Sequence, residues 1–152
     1  MKPAVTADAP IALLGDLTAL TGAAVATVDA LYDEARSAVR EEVSTGGRLS
    51  AALIEREQHM VHGLAWLATY AETLRSLSAY AHRLEATDRL GEMEELLVQI
   101  AFGEYLAHIA GGIPMNQQEF ARLTDFGIRH QHAARLHEGP TGRLMGEGSS
   151  PK

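Results

Sequence analysis

The chain has 152 residues, 46% of them hydrophobic, a formal net charge of −7 and no cysteine. That length suits one domain with a sizeable core; the acidic balance argues against a nucleic-acid partner, because phosphate binding needs a basic surface. The absence of thiols removes disulfide and thiolate chemistry and leaves the compartment open on that criterion.

Alanine and leucine dominate and β-branched runs are scarce, so the expected fold class is all-α. The pattern reads as an antiparallel bundle of three long helices plus one short helix over residues 8–126. Residues 127–152 follow as a flexible, disordered or weakly ordered tail. The first helix is expected to begin near Asp8, which can cap it, with Pro10 tolerated in the first turn. Its apolar positions run through Leu13, Leu17, Leu20, Val28, Leu31, Ala35 and Val39, and Gly46-Gly47 ends it. The second helix is expected from Leu49 or Ser50 to near Thr87. Met60, Leu64, Leu67, Ala71, Leu74 and Ala81 form one stripe, while Trp66, Tyr70, Leu77, Tyr80 and Leu84 form an offset second one. Two stripes imply two neighbouring helices and place Trp66 in the core.

The third helix is expected to start near Asp88 as its cap, with Glu92, Glu94 and Glu95 favouring the positive end of its dipole. From Leu96 to Ala110 it is apolar almost all round. Two other long helices leave part of such a helix uncovered, so a homo-oligomer or another subunit is the expected partner. Gly111-Gly112 and Pro114 stop it, and a short helix is expected from Asn116 to about Leu123, with Glu119 three residues after its cap. Beyond Phe126 glycines and prolines break the pattern, which allows only weak helix near Arg129 to Leu136.

No membrane association is expected, since the stretch Leu96 to Met115 contains Gln99, Glu104 and His108. Asp8 and Asp16 interrupt the apolar stretch after Lys2, which speaks against a signal peptide and for a cytoplasmic location.

One constellation invites a chemical reading: Glu55, His59 and His62 on the second helix with Glu104 and His108 on the third. Carboxylates and imidazoles facing each other across helices can hold two metals, but that centre needs Glu-x-x-His twice, and the motif occurs at none of these positions. Local pairing of His59 and His62 is the simpler reading, and no metal, cofactor or catalytic residue is assigned. Glu104, inside the most apolar run, is expected to be a buried carboxylate bonded to His62, Tyr70 or Tyr80, with a solvent-facing position as the alternative. The histidines His130, His132 and His137 offer at most adventitious metal binding, and Gly139 to Gly142 follows no strand, so it is not a phosphate loop.

Two runs carry a family resemblance: Leu53 through His59 continuing from His62 to Tyr70, and Gln99 through Met115. Together they resemble the N-terminal helical extension in the methylsuccinyl-CoA dehydrogenase branch of the flavin-dependent acyl-CoA dehydrogenase family, over about residues 10–127. In that family the sheet, the FAD site and the catalytic glutamate belong to later domains, so the resemblance carries no catalytic residue onto this chain, Glu104 included. It implies a non-catalytic accessory or interaction domain, either acting with a separate dehydrogenase or surviving from a truncated gene. A free-standing helical homodimer and a small metal-binding bundle enzyme are the competing readings.

Overall fold

A computed structural model describes residues 12–148. The first long helix, α1, spans Leu17–Glu42. A two-residue hairpin, β1 (Ser44–Thr45) against β2 (Arg48–Leu49), turns the chain, with Gly46 and Gly47 at φ 58° and 77°. Positive φ at both central residues is what a two-residue turn matched to strand twist requires, and glycine adopts it without a Cβ clash. The expected second helix comes in two pieces. Helix α2 (Ala51–Arg56) is capped by the Ser50 hydroxyl, which accepts from Leu53 N at 3.4 Å. After the single non-helical residue Glu57, α3 runs Gln58–Glu85.

Helices α1 and α3 pack antiparallel. Leu17, Thr21, Ala24, Val28, Leu31, Ala35 and Val39 recur on α1 at three- and four-residue spacing and are buried. They pack on α3, where Leu67, Ala71, Leu74 and Ala81 of the first stripe are buried together with Ser78. Leu31, Leu67 and Leu74 are at most 1% exposed; each such side chain contributes about 2 kcal/mol by leaving water. Polar pairs mark the register: Thr18 donates to Glu85 at 2.8 Å, Ser78 to Thr21 at 3.3 Å, and Arg75 to Asp29 at 2.9 Å.

Helix α4 (Glu92–Gly111) also packs against α3 and touches α1. It starts after Gly91, not at Asp88. Asp88 sits at φ 53° in the turn that ends α3 and caps nothing. Similarly, α1 starts at Leu17 after Asp16 at φ 57°; residues 12–14 are irregular, and the expected start at Asp8 lies outside the described residues. Asp16 and Asp88 both take the left-handed conformation that Asp tolerates better than most residues.

The short helix expected from Asn116 is a hairpin instead. Strand β3 (Ile113–Pro114) pairs with β4 (Phe120–Ala121), and Asn116 Oδ1 accepts from the backbone of Gln118 and Glu119 at 2.9 and 3.0 Å. An asparagine that caps a helix and one that closes an Asx turn use the same bond, so the sequence signature serves both. A 3-10 turn, Leu123–Phe126, follows.

The largest correction concerns the expected tail. Residues after Phe126 are helical and packed: α5 (His130–Ala133) runs into a 3-10 turn (Ala134–His137), and then comes α6 (Gly139–Glu147). Helix α6 lies on α1 and α4, and Ile128, Leu136 and Leu144 join the same hydrophobic cluster as Leu17 and Leu67. Helix α6 therefore occupies part of the apolar circumference of α4 that three long helices leave open. Residues 149–152 lie outside the described part of the chain.

Candidate functional site

The residues singled out for metal chemistry do not converge. Glu55 is exposed at the end of α2, and Glu104 is exposed on α4, so the expected buried carboxylate is the solvent-facing alternative. His59 lies 3.9 Å from Asp125. His62 Nε2 accepts from the Trp66 indole at 2.9 Å, one turn further along the same helix. His108 Nδ1 pairs with the Tyr70 hydroxyl at 3.2 Å. Among the described residues no three His, Cys, Asp or Glu side chains gather as a metal site.

What α3 and α4 do bring together is an aromatic–imidazole cluster. The rings of Tyr70 and Tyr105 meet edge to face at 4.7 Å, and His108 tilts over Tyr70 at 6.0 Å. Burial first, and then the neighbouring Tyr105 phenol, push the Tyr70 phenol above its ordinary value. Tyr70 thus stays protonated and available for its bond to His108, which makes the pair a cross-helix tie. Across α1 and α3, hydrogen bonds to Asp29 and then to Glu72 raise the Arg75 guanidinium and keep it cationic.

Two side chains to which the sequence gives no structural role do more. Gln99 is wholly buried in α4: its Oε1 accepts from Leu14 N at 3.0 Å, and its Nε2 donates to Ala12 O at 3.1 Å and Gly148 O at 3.2 Å. One amide thereby joins both ends of the described chain to α4. A lone polar residue in an apolar run is the signal for such a tie, but the same signal drew attention to Glu104. His132 bonds Glu34 on α1 at 2.8 Å and holds α5 down.

Trp66 is half-buried, not a core residue. It borders a shallow depression of about 270 Å³ with His62, Ala65 and Thr69. Next to it, a cleft of about 820 Å³ lies between α3 and the β3–β4 hairpin, with Ile54, Val61 and Met115 on its floor and Gln58, Asn116 and Glu119 at its rim. Gly63 is what lets the hairpin lie so close: a Cβ there would come within 2.8 Å of the Ala121 Cβ and 3.1 Å of the Phe126 ring.

No helix among the described residues is long and apolar enough to cross a membrane. No protein-family model matches the chain. It is 50% identical over 139 residues to a (2S)-methylsuccinyl-CoA dehydrogenase of Cereibacter sphaeroides, a match that covers 91% of this chain and 25% of that protein. The likeness that the sequence suggested is thereby borne out, and the chain spans about a quarter of the length of the relative it matches.

Proposed function

We propose that this chain is a non-catalytic helical module of a methylsuccinyl-CoA dehydrogenase-like system, a cytoplasmic accessory unit that acts beside flavin-bearing catalytic domains and does not itself oxidise the thioester. The observation that carries this reading is the extent of the match, nine-tenths of this chain against one quarter of a dehydrogenase. The described residues close one hydrophobic cluster from Leu14 to Leu144, as a domain with its own core does. The two carboxylates singled out in the sequence, Glu55 and Glu104, are both exposed.

The test uses the purified chain alone and then with the relative's remaining three quarters expressed separately. The chain alone is expected to bind no FAD and to reduce no electron-accepting dye with methylsuccinyl-CoA. The mixture is expected to elute as a stoichiometric complex. Near-stoichiometric flavin on the isolated chain, or no complex at micromolar concentrations, would overturn the reading.

A further inference from the structure

The chain between Ala12 and Leu17 has two ways to fold. Leu13, Leu17 and Leu20 keep helical spacing, so α1 has the pattern to begin before Leu17. In the structure it does not. Residues 12–14 are irregular, Gly15 and Asp16 form a turn, and Asp16 stands at φ 57° and ψ 37°. That left-handed conformation is strained for a residue with a Cβ. The Asp16 carboxylate makes no capping bond that would account for it. Contacts elsewhere must hold the bent form.

The holder is Gln99, whose side chain is wholly buried. Its Oε1 accepts from Leu14 N at 3.0 Å, and its Nε2 donates to Ala12 O at 3.1 Å. In a continued helix Ala12 O would accept from Asp16 N instead, so the two forms compete for one carbonyl. The bent form buries Leu14 and leaves Leu13 exposed. The same Nε2 also donates to Gly148 O at 3.2 Å, just past the end of α6. There the backbone lies so close to α4 that a Cβ on Gly148 would come within 2.7 Å of the Gln99 carbonyl oxygen.

We propose that residues 12–16 are a two-position strap, with Asp16 as its strained hinge and Gln99 as the latch that couples it to α6. With the strap down, one amide satisfies three backbone groups. When the strap lifts and α1 extends, Oε1 loses its donor at a site closed to water. A buried acceptor without a partner is unfavourable, so water enters at Gln99 and the last turn of α6 loosens with it. The linkage is reciprocal: loss of Gly148 from the latch frees the strap. A partner that holds residues 12–16 as helix therefore releases residues 145–148, and one that clamps α6 keeps the strap down. The device belongs to the module alone and does not depend on its place beside catalytic domains.

Amide hydrogen exchange of the full chain, followed by NMR, tests this with two variants at the exposed hinge. Asp16→Gly and Asp16→Ala lose the same carboxylate, so their difference reads the backbone alone. Glycine takes a φ of 57° freely and alanine does not. The Leu14 amide is expected to exchange about tenfold faster in Asp16→Ala than in Asp16→Gly. Residues 145–148 are expected to follow, by about threefold or more in the same comparison. Gln99→Leu is expected to speed exchange at both ends and to abolish the response of residues 145–148 to the hinge. Equal Leu14 exchange in the two hinge variants would overturn the hinge. A difference at Leu14 with none at residues 145–148 would overturn the latch. Either result decides against the proposal whether or not Gln99→Leu folds.

Discussion

The α1–α3 pair and the C-terminal stretch from Ile113 to Glu147 build one core by different means. In the pair, long helices bury regular stripes, and every third or fourth residue from Leu17 to Val39 is buried. In the C-terminal stretch no element is longer than nine residues, and each except α5 contributes one or two buried side chains, among them Ile113, Ala121, Phe126, Leu136 and Leu144. The first arrangement repeats and so leaves a period in the sequence. The second is equally buried and leaves none.

The comparison can be broken at Leu144, which is wholly buried. If α6 is an equal part of the core, Leu144→Ala costs about 3 kcal/mol in chemical denaturation, as a buried leucine of α3 does. A change under about 0.5 kcal/mol would make α6 an ornament on a three-helix unit. Trp66→Ala is expected to cost less, about 2 kcal/mol, because a half-buried indole loses about half the 3–5 kcal/mol of a buried one. A loss above 3 kcal/mol would return Trp66 to the core, where its stripe first placed it.

The smallest effects separate two glycines of α6. A Cβ on Gly142 would collide with the backbone carbonyl of His137, whereas nothing lies within 4 Å of one on Gly146. Gly142→Ala is therefore expected to destabilise by about 1–2 kcal/mol. Gly146→Ala is expected to be neutral or to stabilise by up to about 1 kcal/mol through helix propensity. Equal melting temperatures for the two variants would show that α6 does not press on the preceding turn.

These glycines explain why the C-terminal stretch was illegible. Gly127, Gly139, Gly142, Gly146 and Gly148 read together as a composition that resists order. In the structure Gly127 and Gly139 take positive φ at element ends, and Gly142 and Gly148 allow close backbone approach. The sequence shows the glycine but not the neighbour that requires it. The stripes on α1 and α3, the stop at Gly111-Gly112 and the all-helical class were legible because each repeats or follows a local rule. The exposure of Glu104 and the burial of Gln99 were not: both interrupt the same apolar run, and which faces inward depends on where α6 and residues 12–14 lie. The Tyr70–His108 pair escaped for a similar reason, since it depends on the α3–α4 register, and hydropathy does not fix that register.

Hydrogen exchange followed by mass spectrometry tests the shared core most directly. The account predicts that backbone amides of α6, around Leu144, exchange as slowly as those of α1 around Leu31 and of α3 around Leu74, because one hydrophobic cluster holds all three. Full exchange of α6 within seconds, while α1 and α3 stay protected for hours, would contradict it and leave a three-helix core with a loosely attached tail.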